Sequence, residues 1–500
     1  MRALTVILWA TLLGLPWESL GQGLDDALLF SRQQFHGSAR FNAMGGAFTA
    51  LGGEMGSIHV NPAGVGVFTR NEVGITLATG NTGIGADYYG RNTFANDGRL
   101  NANNLGIVFV SEMNHPEWKS FNVGFSYTRT NDFNSTMRYE GTQGEHSFAQ
   151  HLANQANSWG PGGTPLPIND LPLFDPFQVY PAYQTYVIDY DNNAEEYYTA
   201  LETSTSVNQQ GEQTRRGRTS ESMLSLGANY NDRIYFGFGL KVGTLVLFEE
   251  FRHTETPDNL DRITSHSYRQ DLEVRGSSFS MSGGIIARPV DFLRFGVTVQ
   301  TPHWYTNNEV YTTGMTANLA GAYVADAGSD RRSASSPPFD NRYNFHTPWR
   351  FGLGLAGVFG PKALLSVDYE HMNFATAQFV RNRRAFSSNE FIAENQEIET
   401  TFGGGHNIRS GFEYRLLPFS LRAGYSYFSN PVRAEFRNVN REMHMASAGV
   451  GWRHKKVFID AGFWYLWTQS QFALYDAGIN QSAALDITRY GVSFTFGYRY

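Results

Sequence analysis

Residues 488–500 constrain the fold more tightly than any other stretch. Tyr490, Val492, Phe494, Phe496, Tyr498 and Tyr500 fall on one face, with Arg489, Gly491, Ser493, Thr495, Gly497 and Arg499 on the other. This is the period-two pattern of a half-buried strand. The pattern recurs along the chain. Residues 120–128 place Phe121, Val123, Phe125 and Tyr127 on one face, and 233–248 alternate Ile234, Phe236, Phe238, Leu240 and Val242 with Tyr235, Gly237, Gly239, Lys241 and Gly243. Segments at 72–78, 104–111, 120–128, 222–231, 233–248, 268–287, 292–300, 343–359, 363–370, 407–417, 419–428, 443–453, 457–467 and 488–500 give about fourteen strands. Turns at Asn231, Pro289, Gly360, Pro418 and His454 are short and fall at one end. The long connections, 79–103, 129–221, 249–267, 301–342, 371–406, 429–442 and 468–486, fall at the other.

An even strand count with one-sided short turns predicts an all-β, antiparallel transmembrane barrel, its short turns periplasmic and its long loops outside. A soluble sandwich alternates equally well, so periodicity alone does not choose. Strand lengths near ten residues and an export signal do. Arg2 precedes an apolar run over 3–15, and Ser19-Leu20-Gly21 supplies small residues for cleavage, so 1–21 reads as a signal peptide and the mature chain starts near Gln22. The run is shorter than the ~20 residues a spanning helix needs. Magnitude decides which face meets lipid: turning the 407–417 face that carries Arg409, Glu413 and Arg415 outward costs about 2–4 kcal/mol per mid-membrane arginine. Arg409, Arg422, Arg350, Arg294, Lys241, Asp368, Glu370 and Asp460 are therefore expected in the lumen.

Composition narrows the function classes. A net charge of −7 with no basic run gives nucleic acid no electrostatic footprint. The absence of cysteine removes thiolate catalysis, disulfides and cysteine–zinc sites. The chain has no GxSxG, GK[ST] or HExxH pattern. Ser447 and His444 lie three apart on one strand and so face opposite ways. No catalytic site, cofactor or metal site is expected.

A barrel of about fourteen strands is too wide for its own side chains to fill, so it conducts water or is stoppered. The segment ahead of the first strand, 37–70, is suited to be the stopper. Gly45, Gly46, Gly52, Gly53, Gly56, Gly64 and Gly66 permit tight turns, and Phe41, Met44, Phe48, Leu51, Met55, Ile58, Val60 and Phe68 need a wall. Here the chain resembles the FadL-type outer-membrane transporters of long-chain fatty acids and aromatic hydrocarbons, as a Bacteroidota-like member. Residues 41–47, which include Gly45 and Gly46, and Asn61-Pro62-Ala63-Gly64 stand where that family carries its glycine-rich hatch and Asn-Pro-Ala motif. The expected domains are the signal peptide 1–21, hatch 22–70 and barrel 71–500 with a long outer loop at 129–221.

The resemblance implies passive uptake of a hydrophobic compound into an apolar pocket above the hatch, and lateral release into the bilayer through a kinked third strand. That strand's counterpart holds Phe121, Gly124 and Phe125. The family's mobile N-terminus would correspond to 22–30, with Leu24, Leu28, Leu29 and Phe30. Phe148, Leu152, Trp159, Phe174 and Phe177 in the long insertion offer either an outer landing surface or a self-packed lid, in which Pro161, Pro165, Pro167, Pro172, Pro176 and Pro181 are expected to forbid regular structure. Arg409, Arg422, Arg350 and Lys241 are either carboxylate binders or partners of lumen acids. Phe496, Tyr498 and Tyr500 would be read by the barrel assembly machinery. The partners implied are a hydrophobic small molecule and the lipid bilayer, with the chain a monomer. Two further readings stay open: the protein-binding shuttle of type IX secretion, and uptake of haem or another small ligand.

Overall fold

A computed structural model describes residues 23–34, 37–143, 147–201, 204, 206–260, 262–382, 391–437, 440–475 and 482–500. The export signal read at 1–21 and the start at Gln22 lie outside them. Fourteen antiparallel strands form one closed sheet: β1 (Glu72–Tyr88), β2 (Arg91–Glu112), β3 (Trp118–Asp132, continued by Ser135–Gln143), β4 (Val207–Tyr230), β5 (Ile234–Pro257), β6 (Ile263–Val290) and β7 (Leu293–Gln300, continued by Trp304–Leu319) make the first half. The second half is β8 (Phe339–His346, continued by Arg350–Phe359), β9 (Ala363–Asn373, continued by Gln378–Arg381), β10 (Gly404–Leu416), β11 (Phe419–Phe428), β12 (Met443–His454), β13 (Val457–Phe472) and β14 (Ala483–Arg499). The last strand pairs with the first from Glu72↔Arg499 to Asp87↔Ala484, so the sheet has no free edge.

Alternation assigns the two faces. Leu77, Phe125, Phe238, Val297, Leu353, Val367, Phe412, Val450, Phe463 and Phe494 are all exposed on the outside, as lipid contact requires. Phe496 and Tyr498 face the same way. Lys241, Arg350, Asp368, Glu370, Arg409, Arg422 and Asp460 are buried inside, where the desolvation argument put them, and Arg294 is half-buried there.

Several expected loops are strand. The 79–103 connection continues as the β1–β2 hairpin, turned at Tyr89 and Gly90 with φ of 49° and 75°. The 249–267 loop is largely the upper part of β5 and β6, which reach 24 and 28 residues. A strand crosses the hydrocarbon in about ten residues, so these strands rise well beyond the apolar belt. Above it the outer face meets water while inward residues such as Leu245, Leu247, Phe251, Tyr268 and Leu272 are buried in apolar clusters, so the hydrophobic alternation reverses its sense.

The insertion after β3 folds into a lobe over the long-loop end. Its helix α3 (Phe148–Ser158) starts where Ser147 Oγ accepts Gln150 N–H (2.9 Å) and Glu255 accepts Phe148 N–H (2.6 Å). The prolines do not forbid helix throughout. Pro172 and Pro181 lie in the first turns of short helices at Leu171–Phe174 and Val179–Gln184, where the missing N–H has no intrahelical partner to lose.

Candidate functional site

The lumen is filled in layers. Lowest is the hatch. Ser38 caps helix α2 (Ala39–Ala43) by accepting Phe41 N–H at 3.1 Å. The chain then reverses at Gly45 and Gly46, whose φ of 61° and 73° are left-handed. Asn61 accepts Ala63 N–H (3.0 Å) to start the Pro62–Val67 turn and donates to Thr49 O at 2.7 Å, tying the two halves of the hatch together. The Asn-Pro-Ala-Gly run is thus an internal brace as well as a tight turn.

The wall accommodates the hatch with glycines of its own. A side chain at Gly237 would collide with the backbone of Ala63, one at Gly284 with the Asn61 amide, and one at Gly424 with Gly45. Gly124, on the strand expected to kink, is another such seat: a Cβ there would stand 3.3 Å from Val65. The visible signal for these seats was glycine at inward positions of the alternation; its meaning was not readable without knowing what lay inside.

Buried charges lock the contact. Glu413 accepts Arg40 Nε–H and Arg422 Nε–H, each at 2.7 Å, and Arg422 also donates to Asp460 at 2.6 Å. Lys241 donates to His59 O (2.9 Å) and Gln300 (2.5 Å). Arg350 donates to Ser31 O at 2.7 Å, and Arg409 to Glu370 at 3.2 Å. All four candidate carboxylate binders are therefore engaged by the protein. Arg409 borders a cavity of about 40 Å³ between Gln33, Gly46, Phe428 and Trp464. That holds a water or two and no alkyl chain.

Above the hatch lies an apolar chamber occupied by helix α1 (Leu24–Ser31). Leu28 and Phe30 bury themselves among Tyr343, Phe345, Phe374 and Phe379. Phe30 meets Phe345 edge-on at 5.8 Å. Polar bonds gather mainly at its ends: besides Arg350, Asn131 donates to Arg32 O at 2.5 Å, Gln34 N–H reaches Thr130 O at 2.7 Å, Gln33 donates to Glu221 at 2.8 Å, and Arg441 pairs with Asp25 at 2.8 Å.

The bonds to Asn131 and Thr130 fall on β3. Phe121 and Phe125 point to lipid. The β2–β3 ladder runs without a shift from Asn104↔Thr128 to Glu112↔Ser120, and the two irregularities on the β4 side lie at its ends, between Trp118 and Ser120 and between Arg129 and Asn131. Beyond Thr128 side chains bridge the two strands, Asn101 to Asp132 at 3.2 Å and Arg91 to Glu140 at 2.5 Å.

At the mouth, Phe148 and Leu152 are buried in the lobe's core, correcting their reading as outer surface: α3 turns its apolar stripe onto the rim. Trp159 is half-buried against that core. Phe177 packs on Tyr311 and Phe339, and of the five candidates only Phe174 is exposed, beside Leu173.

No family model matches the chain, and no curated protein does. Among solved structures, a Pseudomonas aeruginosa FadL homologue superimposes with a TM-score of 0.54 over 93% of this chain and 98% of its own, at 12% identity. The Pseudomonas putida toluene transporter TodX does so with a TM-score of 0.52 over 93% and 98%, at 13% identity. In strand number, closure and the position of its plug, this chain has the fold of the FadL-type outer-membrane transporters.

Proposed function

We propose that the protein is an outer-membrane channel for passive uptake of hydrophobic compounds, long-chain fatty acids or aromatic hydrocarbons, with its short turns in the periplasm. The observation that carries the reading is the chamber above the hatch, lined by aromatic rings and filled by Leu28 and Phe30. A chamber that accepts leucine and phenylalanine accepts alkyl chains and arenes on the same physical terms, since apolar contact is non-directional. Below it the hatch bars straight passage, so the ligand leaves sideways into the bilayer. The family's exit would be β3, around Phe121, Gly124 and Phe125. The four lumen cations serve the hatch and α1 rather than a carboxylate.

Proteoliposomes carrying the purified protein should take up toluene and oleate faster than empty vesicles, and native preparations should yield lipid on extraction. Uptake equal to that of empty vesicles, with exported proteins co-purifying in place of lipid, would replace this reading with a secretion shuttle.

A further inference from the structure

We propose that hydrophobic molecules leave the barrel through a seam between β8 and β9, at the outer-leaflet edge of the apolar belt. The proposal rests on the uptake reading above and locates its exit. Three neighbouring strands break at the same level. β7 is interrupted by Thr301-Pro302-His303, β8 by Thr347-Pro348-Trp349 and β9 by the turn Phe374–Thr376. Proline has no N–H to give a ladder, and threonine oxygens take over part of its work. Met281 N–H is accepted by Thr301 Oγ1 (3.0 Å) and His303 N–H by Thr347 Oγ1 (2.9 Å). These substitutes close β6–β7 and β7–β8. Between β8 and β9 pairing stops at Arg350↔Met372 and resumes at His346↔Gln378, and among the described residues no backbone hydrogen bond joins the two strands in between.

What lies on either side of this lapse gives it a use. Inside, Met372, Phe374 and Ala377 are buried in the same apolar cluster as Leu28 and Phe30. Outside, a groove of about 380 Å³ is lined by Trp349, Phe351, His371, Asn373 and Thr376. The Phe374 turn sits between chamber and groove, its Phe374 buried on the inner side and Thr376 lining the groove, and it is held on the β10 side by Phe374 N–H to Gly403 O at 2.9 Å. Arg350, the last paired residue of β8 below the lapse, is also the one that grips Ser31 O. Displacement of α1 by a ligand would thus release a contact at the seam itself. By contrast, the parting of β2 from β3 is lined by Thr128, Thr130, Asn131 and Asp132, poor company for an alkyl chain.

Because the chain has no cysteine, the paired substitutions Trp349→Cys and Thr376→Cys supply its only thiols. The variant, with folding verified by heat-modifiable gel mobility, is bridged across the groove by a reversible bifunctional thiol reagent in proteoliposomes. Uptake of toluene and oleate should fall to the level of empty vesicles on bridging and return on reduction. Thr376→Trp, which fills the groove without chemistry, should reproduce the loss. If wild-type protein takes up the probes while both treatments leave uptake intact, the seam is not the exit; loss on bridging Asn101→Cys to Asp132→Cys would then assign it to β3. If wild-type vesicles take up neither probe, the uptake reading itself falls and this proposal with it.

Discussion

Two parts of one N-terminal segment sit inside the same barrel, held by different physics. The hatch, 37–70, is seated on wall glycines and locked by directional bonds between buried charges: Arg40, Arg422 and Asp460 around Glu413, and Lys241 on His59 O. Helix α1, directly before it, is held mainly by Leu28 and Phe30 against aromatic rings, with the Asn131 amide and one guanidinium, Arg350, touching the backbone at its end. A charge network is specific, and no apolar ligand can replace it; an apolar contact can be made equally well by another apolar body. The difference teaches which part is fixed floor and which can be displaced.

The largest expected effect breaks the floor. Glu413→Ala leaves buried Arg422 and half-buried Arg40 without their shared carboxylate, which should cost about 3 kcal/mol, the low end for a broken buried pair because Arg422 keeps Asp460. Hydrogen exchange of hatch amides should accelerate while α1 is unchanged; equal acceleration in both would mean that the two are one unit. Next comes Glu54, buried within the hatch, where it accepts Ser38 Oγ–H and Ser57 N–H (3.0 Å). Burial pushes its pKa up from 4.5 to about 7, against the pull of Ser38 and Arg40. The folded state then holds a proton that the unfolded chain gives up. This contribution is complete below the ordinary glutamate value and is lost as pH rises from there through about 7, amounting to about 3 kcal/mol. Hatch exchange should quicken over that window, and Glu54→Gln should flatten the profile.

Much of this floor was legible, because lipid and lumen sort residues by a two-residue period. Arg409, Arg422 and Asp368 announced their inward face by the cost of the alternative, and the Gly45–Gly46 and Asn61–Gly64 runs announced a compact plug. The strand ends were not legible, because above the belt no face meets hydrocarbon: β2 is largely exposed on both sides, and in β1 and β6 the apolar residues, such as Ile84, Tyr88, Tyr268 and Leu272, switch to the inner face. Nor were the partners of the lumen cations: alternation says that Arg350 points inward, and only the three-dimensional arrangement says that it meets Ser31 rather than a ligand. Phe148 and Leu152 misled because helical spacing names a buried stripe without naming what buries it. Pro302 and Pro348, written plainly in the sequence, gained meaning once their strands proved adjacent.

The smallest expected effect tests the other half of the comparison. Helix α1 has an ion pair of its own, Asp25 with Arg441 at 2.8 Å, but the Asp25 side chain is 71% exposed. An exposed pair works against water and mobile ions, so a double-mutant cycle with Asp25→Ala and Arg441→Ala should return a coupling of about 0.2–1 kcal/mol, smaller still in high salt. The readout is protection of α1 amides from exchange. A weak coupling leaves the helix resting on Leu28 and Phe30, where an incoming hydrocarbon competes for the same rings. A coupling as large as that expected around Glu413 would make α1 a second lock, and a ligand with no charge to offer could not open it.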